Sequence, residues 1–123
     1  MPNNPSVFPF WHIALTAGIT SIISFAMLLF LQRRGDGLSL GAILWLAFLA
    51  GLSVLFWRSA GNVAQLNNDP VPPFSPNDLI CPIFTYIFLD LVMAFRRPID
   101  FEHWKKTRAW LTLISFVVNV LMI

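Results

Sequence analysis

Leu79-Ile-Cys-Pro-Ile-Phe-Thr-Tyr-Ile-Phe-Leu-Asp-Leu-Val-Met-Ala-Phe95 carries one acid, Asp90, inside a run that is otherwise almost wholly apolar. A run of this kind belongs in a lipid bilayer, where an aspartate near the midplane costs about 3 kcal/mol on insertion scales. Asp90 therefore requires a cationic partner, a hydrated cavity or a transported ion.

Three further apolar stretches flank it: Trp11 to Leu31, Leu38 to Trp57, and Ala109 to Ile123 with a more polar lead-in from Phe101. Each approaches the roughly 20 residues that cross about 30 Å of hydrocarbon as a helix. A membrane strand would alternate polar and apolar residues over about 10 positions, and these runs do not alternate. Composition agrees, since 57% of the 123 residues are hydrophobic and only 11% are charged, against about a quarter charged in a soluble domain. The expectation is an all-α integral membrane protein, one domain over 1–123. Its four transmembrane helices, at about 11–31, 38–58, 79–95 and 101–123, form an antiparallel bundle with a proline-rich loop at 59–78. The third run is short for a span, and the fourth is long enough only if its polar lead-in is helical.

Lys and Arg are divided unevenly among the connections. Arg33 and Arg34 follow the first run, Arg58 follows the second, and Arg96, Arg97, Lys105, Lys106 and Arg108 lie around the third connection, seven against one. The positive-inside rule puts the first and third connections in the cytoplasm, stroma or matrix and both termini on the non-cytoplasmic side. The membrane is then a bacterial inner membrane or that of an organelle such as the thylakoid. Nothing basic precedes the first run and its apolar core exceeds a signal h-region, so it is expected to be retained. The net charge of +2 reflects this asymmetry and argues against nucleic-acid binding. Cys81 is the only cysteine, so no disulfide forms within the chain.

Gly35-Asp-Gly37 suits a tight turn between the first two helices. Ala14, Ala17, Gly18, Ser21 and Ser24 recur at helical spacing, as do Ala47 and Gly51, and small residues on such ridges let helices approach closely in lipid. Asp69 to Pro76 is too rich in proline to be helical, and the N-terminal segment to Phe10 has the same character. Phe8, Phe10, Pro72, Pro73 and Phe74 thus present stiff, nearly uncharged surface on one side, which suits docking to a partner.

Arg108, Thr112, Ser115 and Asn119 fall on one stripe of the fourth helix, and Asp90 lies about 7.5 Å from the basic end of the third. These five residues form a candidate intramembrane polar cluster, with Asp90 and Arg108 as its ion pair. His12, next to Trp11, is either part of an interfacial aromatic belt or a single axial ligand to a pigment or haem; His103 is expected on the opposite side, so the two cannot share one haem. No motif demands a cofactor, and no phosphate loop, cysteine cluster, metal-spaced histidine set or nucleophile elbow is present.

The reading that follows is a non-catalytic accessory or assembly subunit of a larger membrane complex, in a respiratory or photosynthetic membrane, surrounded by lipid and by other membrane subunits in a hetro-oligomer rather than a homo-oligomer. Two alternatives are a small oligomeric ion- or proton-coupled transporter or channel using Asp90, and a subunit giving one ligand to a haem, pigment or quinone site. Topology is directly measurable. A cysteine introduced at Asn68 should react with an impermeant reagent only from the non-cytoplasmic side; labelling from the cytoplasmic side alone reverses the assignment.

Overall fold

A computed structural model describes residues 8–33, 39–62, 76–95 and 101–122. All four segments are helical: α1, Phe10–Arg33; α2, Leu40–Ala60; α3, Pro76–Phe95; and α4, Phe101–Met122. The first three are long and apolar enough to cross a membrane. This marks the chain as a membrane-embedded helical protein.

Local chemistry sets the helix ends. Pro9 cannot continue a helix backwards, and its carbonyl accepts from the amides of His12 and Ile13 at the start of α1. Ser39 caps α2, its hydroxyl accepting from the Ala42 amide at 3.1 Å, and the Gly61 amide closes the other end on the Trp57 carbonyl at 2.7 Å. α3 starts three residues earlier than the apolar run suggests. Pro76 is preorganised for a first helical turn, and Asp78 within that turn complements the positive end of the helix dipole. The span is thereby 20 residues long instead of 17, and residues 59–60 and 76–78 belong to helices rather than to the proline-rich connection.

Neighbours in sequence are neighbours in space: α1 packs on α2, α2 on α3, α3 on α4, and α4 closes against α1. The contacts run in opposite directions along each pair. Phe8 meets Asn62 while Ala17 and Ser21 meet Gly51; Arg58 meets Asp78 while Ser53 meets Thr85. The bundle is thus up-and-down. It has a basic end, bearing the α1–α2 and α3–α4 connections, and a proline end, bearing the N-terminal segment and the α2–α3 connection.

The interior differs between the two ends. Toward the basic end, Leu28, Leu31, Ile43, Leu46, Leu89, Met93, Trp104 and Leu111 form a continuous apolar core. Toward the proline end apolar positions such as Ile13, Val54, Ile114 and Val118 share the interior with buried small or polar ones, among them Thr16, Thr20, Ser53, Thr85, Ser115 and Asn119. Thr16 and Thr20 satisfy their hydroxyls on the carbonyls four residues back, at 2.9 Å each, so α1 buries a hydroxyl-bearing face without needing partners across the interface.

That face corrects the small-residue ridge. The buried stripe of α1 is Ile13, Thr16, Ala17, Thr20, Ser24, Leu28 and Leu31, whereas Ala14 and Gly18 are exposed. A methyl group added to Gly18 would meet nothing within 4 Å. Gly51 behaves oppositely. A Cβ there would run into the Ser21 hydroxyl and lie 2.7 Å from the Ala17 carbonyl oxygen, so α1 and α2 are in close backbone contact at this point. Ala47, one turn away on α2, is buried beside it.

Gly51→Ala should therefore destabilise the bundle by about 1–3 kcal/mol through overpacking, seen as a lower melting temperature in detergent. Gly18→Ala should leave it unchanged or slightly raised, alanine being the better helix former.

Candidate functional site

Among the described residues, ion pairs at opposite ends of α3 tie it to its neighbours. Toward the basic end, Tyr86 and Asp90 sit one turn apart on α3 and face Trp104 and Arg108, one turn apart on α4. Arg108 Nη1 donates to Asp90 Oδ1 at 2.7 Å and to Oδ2 at 3.0 Å, and Trp104 Nε1 donates to Oδ1 at 3.2 Å. The guanidinium also lies over the Tyr86 ring, 4.3 Å from its centroid. Both carboxylate oxygens are engaged and the cation is sandwiched against an aromatic face, an arrangement that suits arginine better than lysine. The square is open on one side: the Asp90 side chain is 40% exposed and that of Arg108 18%.

The second pair lies at the proline end, where sequence reading placed only a connection. Arg58 of α2 and Asp78 of α3 approach to 3.6 Å with each side chain 1% exposed. Trp57 Nε1 donates to Asn77 Oδ1 at 2.8 Å, and Asn77 Nδ2 donates to the Gly61 carbonyl at 2.8 Å, so the start of α3 is stapled to the end of α2. Phe8 covers the pair, its ring centroid 5.8 Å from the guanidinium carbon. Asn62 holds Phe8 in place by accepting from its amide at 3.0 Å and donating to its carbonyl at 2.7 Å. The available signal was Pro76-Asn-Asp78, a helix start with an acid in the first turn, opposite the one arginine at the end of the second apolar run.

Between the pairs runs a column of buried hydroxyls. Ser53 Oγ and Thr85 Oγ1 are 2.7 Å apart, Thr85 Oγ1 and Ser115 Oγ 3.0 Å, and Asn119 Nδ2 donates to the Ser115 carbonyl at 2.6 Å. This divides the stripe expected on α4. Arg108 belongs with Asp90, whereas Ser115 and Asn119 belong with Ser53 and Thr85 of other helices; buried Leu89 and Leu111 lie in the apolar core at the basic end. Thr112 joins neither group through its side chain, its Oγ1 being buried without a hydrogen-bond partner. The cluster of five is thus two sites, because α3 and α2 offer their own polar groups at different heights.

His12 packs between aromatic rings, edge-on to Phe8 at 5.3 Å and stacked on Trp11 at 5.5 Å. Phe8 docks on its own chain and is half-buried, whereas Phe10 faces outward together with Trp11. Pro72, Pro73 and Phe74 lie outside the described residues, as does the side chain of His103. Among the described residues no three His, Cys, Asp or Glu side chains converge as a metal site would require. The chain matches no known family model, no curated protein and no solved structure.

The arrangement predicts energetic coupling between Asp90 and Arg108. In a double-mutant cycle on stability in detergent, Asp90→Asn and Arg108→Gln should each destabilise, and the double variant should recover about 1 kcal/mol of the summed loss, a modest value because the pair is partly exposed. Strictly additive losses would show that the contact carries no net energy.

Proposed function

We propose that this chain is a non-catalytic accessory or assembly subunit of a hetero-oligomeric membrane complex, of the kind found in respiratory and photosynthetic membranes. α4 serves as a fourth span, and both termini and the proline-rich connection face the non-cytoplasmic side. Burial of Arg58 against Asp78 supports this orientation, since the sole Lys or Arg counted at the proline end is neutralised within the fold while the basic end keeps its excess.

The observation that carries the reading is an outward groove between α1 and α2. Ala17, Gly18, Ser21 and Gly51 form its floor, Phe48, Leu52 and Leu55 its wall, and it encloses about 150 Å³. Fluid acyl chains pack against any apolar surface. A backbone laid bare by small residues is instead what another helix needs for close approach, since van der Waals packing drives association in lipid. Gly18 is not used for packing within the chain, so its smallness is available to a neighbour. The engagement of both Asp90 oxygens by Arg108 and Trp104 supports the same reading over transport, because an acid that carries ions must release its partners.

Gly18→Leu separates docking from folding. The purified variant should melt as the wild type does, because a Cβ at position 18 meets nothing within 4 Å and the rest of the side chain enters the open groove, yet it should disappear from the high-mass band that wild type occupies on a blue-native gel of solubilised native membranes. Wild type migrating alone or as a self-oligomer overturns the proposal, as does undiminished incorporation of the variant. Proton or cation flux through the purified wild type in proteoliposomes would favour the transporter instead.

A further inference from the structure

The ion pair between α3 and α4 is only half enclosed. Asp90 keeps 40% of its side chain exposed and Arg108 18%, so both poles of the pair reach the outer seam of the two helices. Each pole also retains bonding capacity. A carboxylate offers about four acceptor positions. Arg108 and Trp104 use two on Oδ1, and Arg108 uses one on Oδ2. Both bonds from the guanidinium leave through Nη1, so neither engages Nη2.

The pair also stands at a boundary in polarity. Arg108 is the last charged residue of α4, and Ala109 to Ile123 carries none. On α3, Ile83, Tyr86 and Ile87 are exposed and precede Asp90 by seven, four and three residues, so an apolar track runs along the same face from the acid toward the middle of the helix. A charged pair at the head of an apolar track matches the build of a phospholipid, whose headgroup and acyl chains meet at one level.

We propose that the α3–α4 seam binds an aminophospholipid head to tail, its ammonium donating to Asp90 Oδ2 and its phosphate accepting from Arg108 Nη2. A zwitterion fits because the pair is itself a dipole of the opposite sense. A purely anionic headgroup would satisfy Arg108 and confront Asp90, and a lysine of a neighbouring helix would satisfy Asp90 alone. The ammonium must carry hydrogen, since only an N–H can donate to a carboxylate. Choline could be held instead over an aromatic face, but the Tyr86 ring already carries the Arg108 guanidinium at 4.3 Å. Binding leaves the bonds among Asp90, Arg108 and Trp104 in place. The site is separate from the α1–α2 groove and rests on α3 and α4 lying together in lipid.

The experiment is native mass spectrometry of the purified full chain titrated in detergent with phosphatidylethanolamine, its monomethyl and dimethyl derivatives, phosphatidylcholine and phosphatidylglycerol, all with the same acyl chains. Wild type should hold one phosphatidylethanolamine about tenfold more tightly than phosphatidylcholine, the loss of one charge-assisted hydrogen bond. Affinity should fall chiefly at the step that removes the last N–H, and phosphatidylglycerol should bind more weakly than phosphatidylethanolamine. Asp90→Asn with Arg108→Gln, which leaves no charge unpaired, should bind all five lipids alike. Equal affinity of wild type for phosphatidylethanolamine and phosphatidylcholine overturns the proposal, as does a preference that survives in the double variant. Phosphatidylglycerol held as tightly as phosphatidylethanolamine means a site for phosphate alone and overturns it too. Should the double variant fail to fold, the methylation series on wild type decides by itself.

Discussion

The neutralisation of α3 by its two neighbours is the constraint on which the rest of the bundle depends. Two carboxylates on one membrane helix cannot be left unpaired, and Asp78 and Asp90, twelve residues apart, are matched by Arg58 of α2 and Arg108 of α4. About 18 Å of helix separates the two acids. A helix held near both ends by different neighbours can neither slide nor rotate without breaking a pair, and removing one partner from a desolvated pair is far more destabilising than forming the pair is stabilising. The apolar packing of α3 inherits its register from these two points.

Between them the interior changes character. Leu46, Leu89, Leu111 and Trp104 fill the half toward the basic end, whereas the other half buries Ser53, Thr85, Ser115 and Asn119 among its apolar side chains. In lipid the choice between such interiors is not governed by hydrophobicity, since apolar side chains gain little by leaving hydrocarbon for a protein core. The hydroxyls turn inward because lipid offers them nothing.

Helix existence and approximate extent were legible in the sequence because length and apolarity alone determine them. Counting residues from the helix ends was also enough to bring Asp90 and Arg108 to one level. The pair at the proline end was harder to read: Pro76-Asn-Asp78 offers a helix start, but Asp78 falls among loop-forming residues and Arg58 at a span boundary, where a charge normally faces water. Nor could the sequence tell Gly18 from Gly51. Both lie in runs that are apolar all round, so periodicity offers several equivalent faces and cannot say which turns inward. The decision rests on where α2 approaches, and it approaches closely where Gly51 meets Ala17 and Ser21.

The hydroxyl column has a consequence for electrical polarity. Ser53 is placed to donate to the Ala50 carbonyl or toward Thr85, and Thr85 to donate to the Cys81 carbonyl, toward Ser53 or toward Ser115. These are four short contacts, and Ser53, Thr85 and Ser115 bring one hydroxyl proton each, so at least one contact always lacks its own. The heavy atoms accommodate several proton arrangements that differ in the direction of their dipoles. On the same heavy-atom positions, the dipole of this half of the bundle therefore depends on which way three hydroxyls point.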